Sequence, residues 1–145
     1  MDPLTHIFVT RKLIGHAPQI TVAGIGPDLP FFLTYPAWVI GQGKLTQAIT
    51  TNDWPAPPRW LMTLHLAFHS LPVALAGAGL IRLVTGRWPG RALSAWSLHI
   101  LVDIPTHARQ SWAPQFLWPL SDYAVDGLSW VEILLRYVRG KMLLL

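Results

Sequence analysis

The hydrophobic and polar positions of this chain form long apolar stretches separated by short breaks rich in glycine, proline or charge. The stretch 60–84 is the longest and predicts a membrane-spanning helix with a kink at Pro72, because a span takes about 20 residues. After a short connection at 85–91, residues 92–107 predict a helix that returns across the bilayer and ends or bends near Pro105. The pattern therefore predicts a central transmembrane hairpin.

The N-terminal stretch predicts a helix that is too short to cross a bilayer. Asp2 followed by Pro3 is a typical helix start, with an N-cap and a proline at the first helical position. The apolar pattern continues over residues 5–14 and ends at Gly15. We expect this element to be an interfacial or partly inserted helix.

A broken segment lies between this helix and the hairpin. Glycines and prolines interrupt the apolar pattern at 24–30, so the backbone should break there, with Asp28 as a possible cap of the following helix 29–40. Pro36 should bend that helix, and residues 41–59 read as a polar loop. Because broken backbone at membrane depth is tolerated mainly inside protein, we expect Asp28 to face the interior.

Composition supports a membrane-embedded chain. Only 12% of the 145 residues are charged, against about 25% in soluble domains, and eight are tryptophans, which favour membrane interfaces. The net charge of +4 comes from scattered lysines and arginines and suits anionic lipid head groups better than nucleic acid. We expect residues 1–145 to form a single membrane-embedded, all-α metal-site domain. The composition leaves its oligomeric state open.

Charges also predict the topology and a surface segment. Arg82, Arg87 and Arg91 surround the hairpin turn, which places the turn on the cytoplasmic side. Residues 127–145 have amphipathic character with a basic tail, which is typical of a surface helix.

Histidine and aspartate recur at intervals of four in both halves of the hairpin. His65 and His69 share one helical face, and His99, Asp103 and His107 share another. Counting from the middle of the turn, at about 1.5 Å per residue, places His69 and His107 at equal depth, with His99 deeper. Ionisable groups are expensive in apolar helices unless they pair or bind something, so the pattern predicts one polar cluster.

This combination of side chains favours zinc. Zinc sites use histidine nitrogen and carboxylate oxygen, and catalytic sites commonly have three protein ligands and a water. The spacing supplies more ligands than that number. Without cysteine, the chain offers no thiolate ligand or disulfide.

Several short motifs also have a familiar order along the chain. They are His6, Gly26-Pro27-Asp28-Leu29, His69-Ser70, His99-Ile100-Leu101-Val102-Asp103 with Thr106, and Trp118-Pro119. This order resembles the bacterial membrane-bound, metal-dependent hydrolases, including the LexA-regulated inner-membrane hydrolase family, which is similar in pattern to zinc-dependent phospholipase C. Pro30 stands where that family has a second acidic residue, and its His-Arg-Gly element is missing here.

The resemblance implies a metal-dependent hydrolase in the bacterial inner (cytoplasmic) membrane. It implies one to three zinc ions, membrane lipids as partners, and a phosphoester or lipid-linked substrate at the interface. Asp28 or Asp103 would orient water as a general base. The ligands implied by the resemblance are His6, Asp28, His69, His99 and Asp103, with His65 and His107 as additional or replacement ligands.

Two alternatives belong to other functional classes. In the first, His69 and His107 are axial ligands of a haem in an electron-transfer protein. In the second, the protein is a non-catalytic membrane scaffold, and the polar cluster only fixes the packing of its helices.

Overall fold

A computed structural model describes residues 2–51, 53–109 and 113–129 of the chain. These residues form seven α-helices and no β-strand, which confirms the predicted all-α class. The helices are α1 Pro3–Leu13, α2 Pro18–Ile25, α3 Leu29–Gly41, α4 Leu45–Thr51, α5 Arg59–Phe68, α6 Leu71–Thr85 and α7 Gly90–Thr106.

Helix α1 begins as the sequence predicts. The Asp2 carboxylate accepts a hydrogen bond from the Thr5 backbone N–H at 3.0 Å, and Pro3 is the first helical residue. The cap therefore satisfies one of the N–H groups that a helix start leaves without a partner. The last helical residue is Leu13, one residue before the predicted end.

The break between α2 and α3 also lies where the sequence predicts it, but Asp28 does not cap α3. Its φ and ψ of −81° and −31° are helical, and its side chain makes no capping hydrogen bond. The carboxylate instead lies 3.3 Å from the Nε2 atom of His69, which is a contact between distant parts of the chain. Asp28 therefore occupies the predicted N-cap position of α3, but the capping hydrogen bond is absent because its carboxylate contacts His69 instead.

The predicted single helix over 60–84 is wrong, because the chain forms two helices there. Helices α5 and α6 meet at an angle of 70°. Ser70 caps α6 by accepting a hydrogen bond from the Val73 N–H at 3.2 Å. Pro72 lies in the first turn of the new helix, where its missing N–H costs nothing, so it is not the site of a kink.

One further boundary differs from the prediction, because the predicted loop 41–59 contains helix α4, a two-turn element. Helix α7 ends at Thr106, one residue after Pro105, which confirms the predicted end near that proline. Of the predicted surface helix, only residues 127–129 lie within the described chain, and they are not helical.

No described helix is by itself long and apolar enough to cross a membrane. Helices α5 and α6 together have the length and composition of a span, with the bend between them.

Helix α7 lies at the centre of the packing. It contacts α2 most extensively and also contacts α1 and α6, while α3 packs against α5. Ile20, Ala23 and Ala95 form a small apolar core between α2 and α7. The segment 113–129 contacts the start of α6, where the Leu71 N–H donates to the Phe116 carbonyl at 2.9 Å.

Candidate metal centre

Four buried side chains from three parts of the fold converge in one place. Asp28 comes from the turn between α2 and α3, His69 from the break between α5 and α6, and His99 and Asp103 from α7. One nitrogen or carboxylate oxygen from each residue lies within 4.8 Å of the other three. This spacing is small enough for one metal ion to contact all four.

The shortest distances link histidine nitrogens to carboxylate oxygens. His99 Nε2 lies 3.1 Å from Asp103 Oδ2, and His69 Nε2 lies 3.3 Å from Asp28 Oδ1. The crossed pairs are slightly longer, at 3.6 Å for His99 and Asp28 and 3.7 Å for His69 and Asp103. Two carboxylates opposite two imidazoles provide the negative charge and the donor atoms that zinc prefers.

Backbone carbonyls fix the orientation of both imidazoles. His99 Nδ1 lies 2.8 Å from the Gly24 carbonyl oxygen, and His69 Nδ1 lies 3.0 Å from the His65 carbonyl oxygen. A carbonyl can only accept, so each Nδ1 must carry the proton and donate it. In its neutral form, each imidazole therefore directs an Nε2 lone pair into the cluster.

The two Nε2 atoms face each other at 3.3 Å. Two lone pairs at this distance repel each other, so a cation or an added proton must lie between the rings and the carboxylates. A divalent metal ion meets this need for both histidines and both aspartates at once. The residues present therefore fit a metal ion.

Both carbonyls lie at helix ends. Gly24 lies in the last turn of α2, where carbonyls lack partners within the helix, and His65 lies in the last turn of α5. The His65 carbonyl accepts two bonds from the same residue, one from the His69 backbone N–H at 3.0 Å and one from His69 Nδ1. Two helix breaks in the sequence thus provide the groups that orient His69 and His99.

His6 lies beside this cluster, on the other oxygen of Asp103. Its Nε2 atom is 3.1 Å from Asp103 Oδ1, and its ring stacks on that of His99 with centroids 3.6 Å apart. Burial lowers the pKa of the His6 imidazole, although the contact with Asp103 acts in the opposite direction. The ring therefore favours its neutral form.

Asp28 is held in its ionised form. Burial alone would raise the pKa of its carboxyl group, but the facing imidazoles of His69 and His99 outweigh burial and lower that pKa. An ionised carboxylate is the form that binds metal. Its second oxygen, Oδ2, is buried and has no hydrogen-bond partner among the described residues.

The other two predicted ligands lie at the edge of the cluster. The His65 ring lies against that of His69, with centroids 4.0 Å apart. His107 Nδ1 lies 3.1 Å from the Asp103 carbonyl oxygen and 3.5 Å from Asp103 Oδ1. Neither residue belongs to the four-residue group.

The predicted depths of the histidines are wrong in one respect. Counting from the turn places His107 opposite His69, whereas His99 occupies that place. The count assumes two straight antiparallel helices, but the chain bends by 70° beside His69 and α7 packs mainly against α2.

Sequence reasoning assigned no individual role to several residues that shape the site. Gly24 orients His99, and the buried Ser70 hydroxyl donates to the Trp118 carbonyl beside His69. The Trp96 indole N–H donates to the Phe68 carbonyl at 2.9 Å. The sequence contained two signals for them. One is the pair of glycines at 24 and 26, since glycines in an apolar segment often mark close packing, and the other is the motifs that contain Ser70 and Trp118.

No protein family, curated protein or solved structure matches this chain. The resemblance to membrane-bound hydrolases therefore identifies no family. What supports it is the buried cluster of histidine and aspartate that can hold a metal.

Proposed function

We propose that this protein is a membrane-bound, metal-dependent hydrolase with a zinc site formed by Asp28, His69, His99 and Asp103. The observation that carries the proposal is the approach of two Nε2 atoms to 3.3 Å, each with its Nδ1 atom at a backbone carbonyl. A metal ion held between the four residues would pair both Nε2 lone pairs and one oxygen of each carboxylate at once.

The two aspartates differ in what their oxygens contact, and this difference suggests different roles. Asp103 faces His6 with Oδ1 and His99 with Oδ2, so both of its oxygens hold the site together. Asp28 directs only Oδ1 at the histidines. Asp28 Oδ2 is therefore the atom that we assign to orient water and accept its proton. A bound zinc ion supplies Lewis-acid activation of the water and of the substrate's phosphoryl oxygen.

The outer surface supports placement in a membrane. Four large apolar side chains of α6 are exposed. The exposed fraction is 54% for Leu75, 62% for Leu80, 84% for Leu83 and 78% for Val84. Soluble monomers rarely expose so continuous an apolar surface. Together with the span-like composition of α5 and α6, this surface favours a phosphoester or lipid-linked substrate that reaches the site from the bilayer.

The geometry favours an ion over a haem. Axial haem ligands lie on opposite sides of a macrocycle, whereas His69 Nε2 lies 3.3 Å from both His99 Nε2 and Asp28 Oδ1. The space between these atoms suits one ion. The scaffold alternative predicts no bound metal, so metal analysis separates it from the hydrolase.

The first test is the zinc content of detergent-purified protein, supplied with zinc and then freed of excess. We expect about one zinc per chain in the wild type and none in a His69→Ala, Asp103→Ala double variant, because structural and catalytic sites need three or four protein ligands. His16→Ala is the matched control, since His16 is exposed and lies outside the cluster.

Folding of each variant is checked by circular dichroism and size-exclusion chromatography, with His69→Gln as a milder substitute if the double variant does not fold. A wild-type protein that binds no zinc contradicts the proposal. Hydrolysis of bis-p-nitrophenyl phosphate by the zinc-loaded protein, lost in Asp28→Asn while zinc is retained, tests the assigned role of Asp28.

A further inference from the structure

An apolar groove of about 600 Å³ lies between α2, α6 and α7. Its volume falls within the range of about 300–1,000 Å³ that is typical of ligand sites. Among the described residues, the polar groups that line it are the Gln19 amide and the Trp96 indole N–H, and no charged side chain does so. A head group would lose its hydration there without replacement, so the groove suits a purely hydrocarbon ligand.

The groove lies beside the candidate metal centre along three segments of the chain. Gly26 lines the groove and precedes Asp28 by two residues, and Phe68 lines it and directly precedes His69. Trp96 lines it one helical turn before His99. Each of the three elements that carry the metal-centre residues therefore also contributes to the groove.

Trp96 joins these walls. Its indole N–H donates to the Phe68 carbonyl at 2.9 Å. Its ring packs so closely on Gly26 that a Cβ atom there would overlap it. The indole is thus held on two sides at the border between the groove and the polar cluster, where a ligand would change from apolar to polar.

Small residues of α6 leave the groove open. Ala74, Gly77 and Ala78 line it, and a Cβ atom added at Gly77 would meet no other atom within 4 Å. A flexible unbranched chain can follow such a surface, and each of its buried methylenes adds to affinity.

We infer that this groove binds the acyl chain of a lipid whose phosphoester lies at the metal centre. The inference rests on the proposed function and adds the substrate class to it. The shared walls with the metal centre and the apolar lining favour a lipid over a second copy of the chain, because only a lipid would use the groove and the polar cluster together.

The test uses two glycines of the same helix. Gly77→Leu places a side chain in the groove, whereas Gly79→Leu is the matched control, because Gly79 lies outside the groove lining and also has open space at its Cβ position. Both changes have the same effect on helix propensity.

The probe is palmitate with a diazirine near its methyl end, photolysed on zinc-loaded protein in detergent and mapped by mass spectrometry. Labelling of the exposed Val84 on α6 serves as the internal reference. We expect labelled groove residues in the wild type and in Gly79→Leu. In Gly77→Leu, groove labelling should fall about tenfold, which corresponds to the loss of roughly two buried methylenes.

Equal groove labelling in the two variants, or labelling only at the outer surface, overturns the inference. A dimer in the wild type that Gly77→Leu dissociates also overturns it, since the groove would then be a contact between copies.

Zinc content is measured on the same samples. Zinc binding without groove labelling contradicts the acyl site alone, whereas groove labelling without zinc binding supports the acyl site and contradicts the hydrolase.

Discussion

Asp103 uses its two carboxylate oxygens in two directions. Oδ2 lies 3.1 Å from His99 inside the four-residue cluster, and Oδ1 lies 3.1 Å from His6 outside it. His6 also stacks on the His99 ring. It therefore contacts two of the four proposed ligands while its own atoms lie outside the group, and residues around metal sites commonly have such a position.

At the scale of single residues, we predict that His6→Ala weakens zinc binding but leaves the number of zinc ions per chain unchanged. Loss of an outer partner typically costs about 10- to 100-fold in metal affinity. A competition titration with a chromophoric chelator measures the dissociation constant and the stoichiometry together. His16→Ala should leave both values unchanged.

The family resemblance implies that His6 is instead a direct ligand. In that case, His6→Ala would remove a whole equivalent of zinc. Such a loss would contradict the positioning role.

At the scale of elements, α2 connects the N-terminal helix to the metal centre. Gly24 packs so closely on the Thr10 side chain of α1 that a Cβ atom would overlap it, and its carbonyl accepts the His99 Nδ1 proton from α7. Thr10 is itself buried. A single glycine therefore sets the separation of α1 and α2 and the orientation of a proposed ligand on α7.

We predict that Gly24→Ala lowers the free energy of unfolding by about 1–3 kcal/mol, the typical cost of forcing extra atoms into a packed interior. The added Cβ atom would lie 2.8 Å from the Thr10 Cβ atom as well as close to both branches of that side chain. Because the Thr10 Cβ atom is bonded to the backbone, rotating the side chain cannot remove the overlap, so α1 must shift. Denaturant unfolding in detergent, followed by circular dichroism, measures the change. Zinc affinity should fall as well, because His99 loses its alignment.

Gly77→Ala is the control for this substitution. It lies within α6 with no atom near its Cβ position, so alanine should raise the free energy of unfolding by up to about 1 kcal/mol. Similar effects at Gly24 and Gly77 would contradict the packing argument.

At the scale of the whole molecule, polar groups are buried and large apolar side chains are exposed. His6, His69, His99 and Asp103 are each no more than 2% exposed. Leu83 on α6 is 84% exposed. This arrangement suits a chain that is surrounded by lipid and encloses a polar site.

We predict that the protein sediments with membranes after cell lysis, stays there in alkaline carbonate and is released by detergent. The physical reason is that water does not solvate the exposed apolar side chains of α6 favourably, whereas lipid would cover them in the proposed membrane location. Immunoblotting of the fractions measures the distribution, with a soluble marker enzyme as control. Recovery of folded protein in the soluble fraction would contradict the membrane proposal.

The sequence alone determined the helical class and the local geometry of the site. Low charge, long apolar stretches and proline-rich breaks indicated helices, and the break near Asp28 lies where it was predicted. Spacing of four placed His99 and Asp103 on one face of α7, and they lie 3.1 Å apart. These features could be predicted because helix periodicity depends only on residues within one or two turns.

Tertiary structure alone decided which residues oppose each other. The 70° bend at His69 and the packing of α7 on α2 bring His99, rather than His107, to His69. The carbonyl of Gly24, 75 positions from His99, fixes the direction of its lone pair. Sequence spacing contains no information about bend angles or about which distant carbonyl is free, because both depend on how whole helices pack.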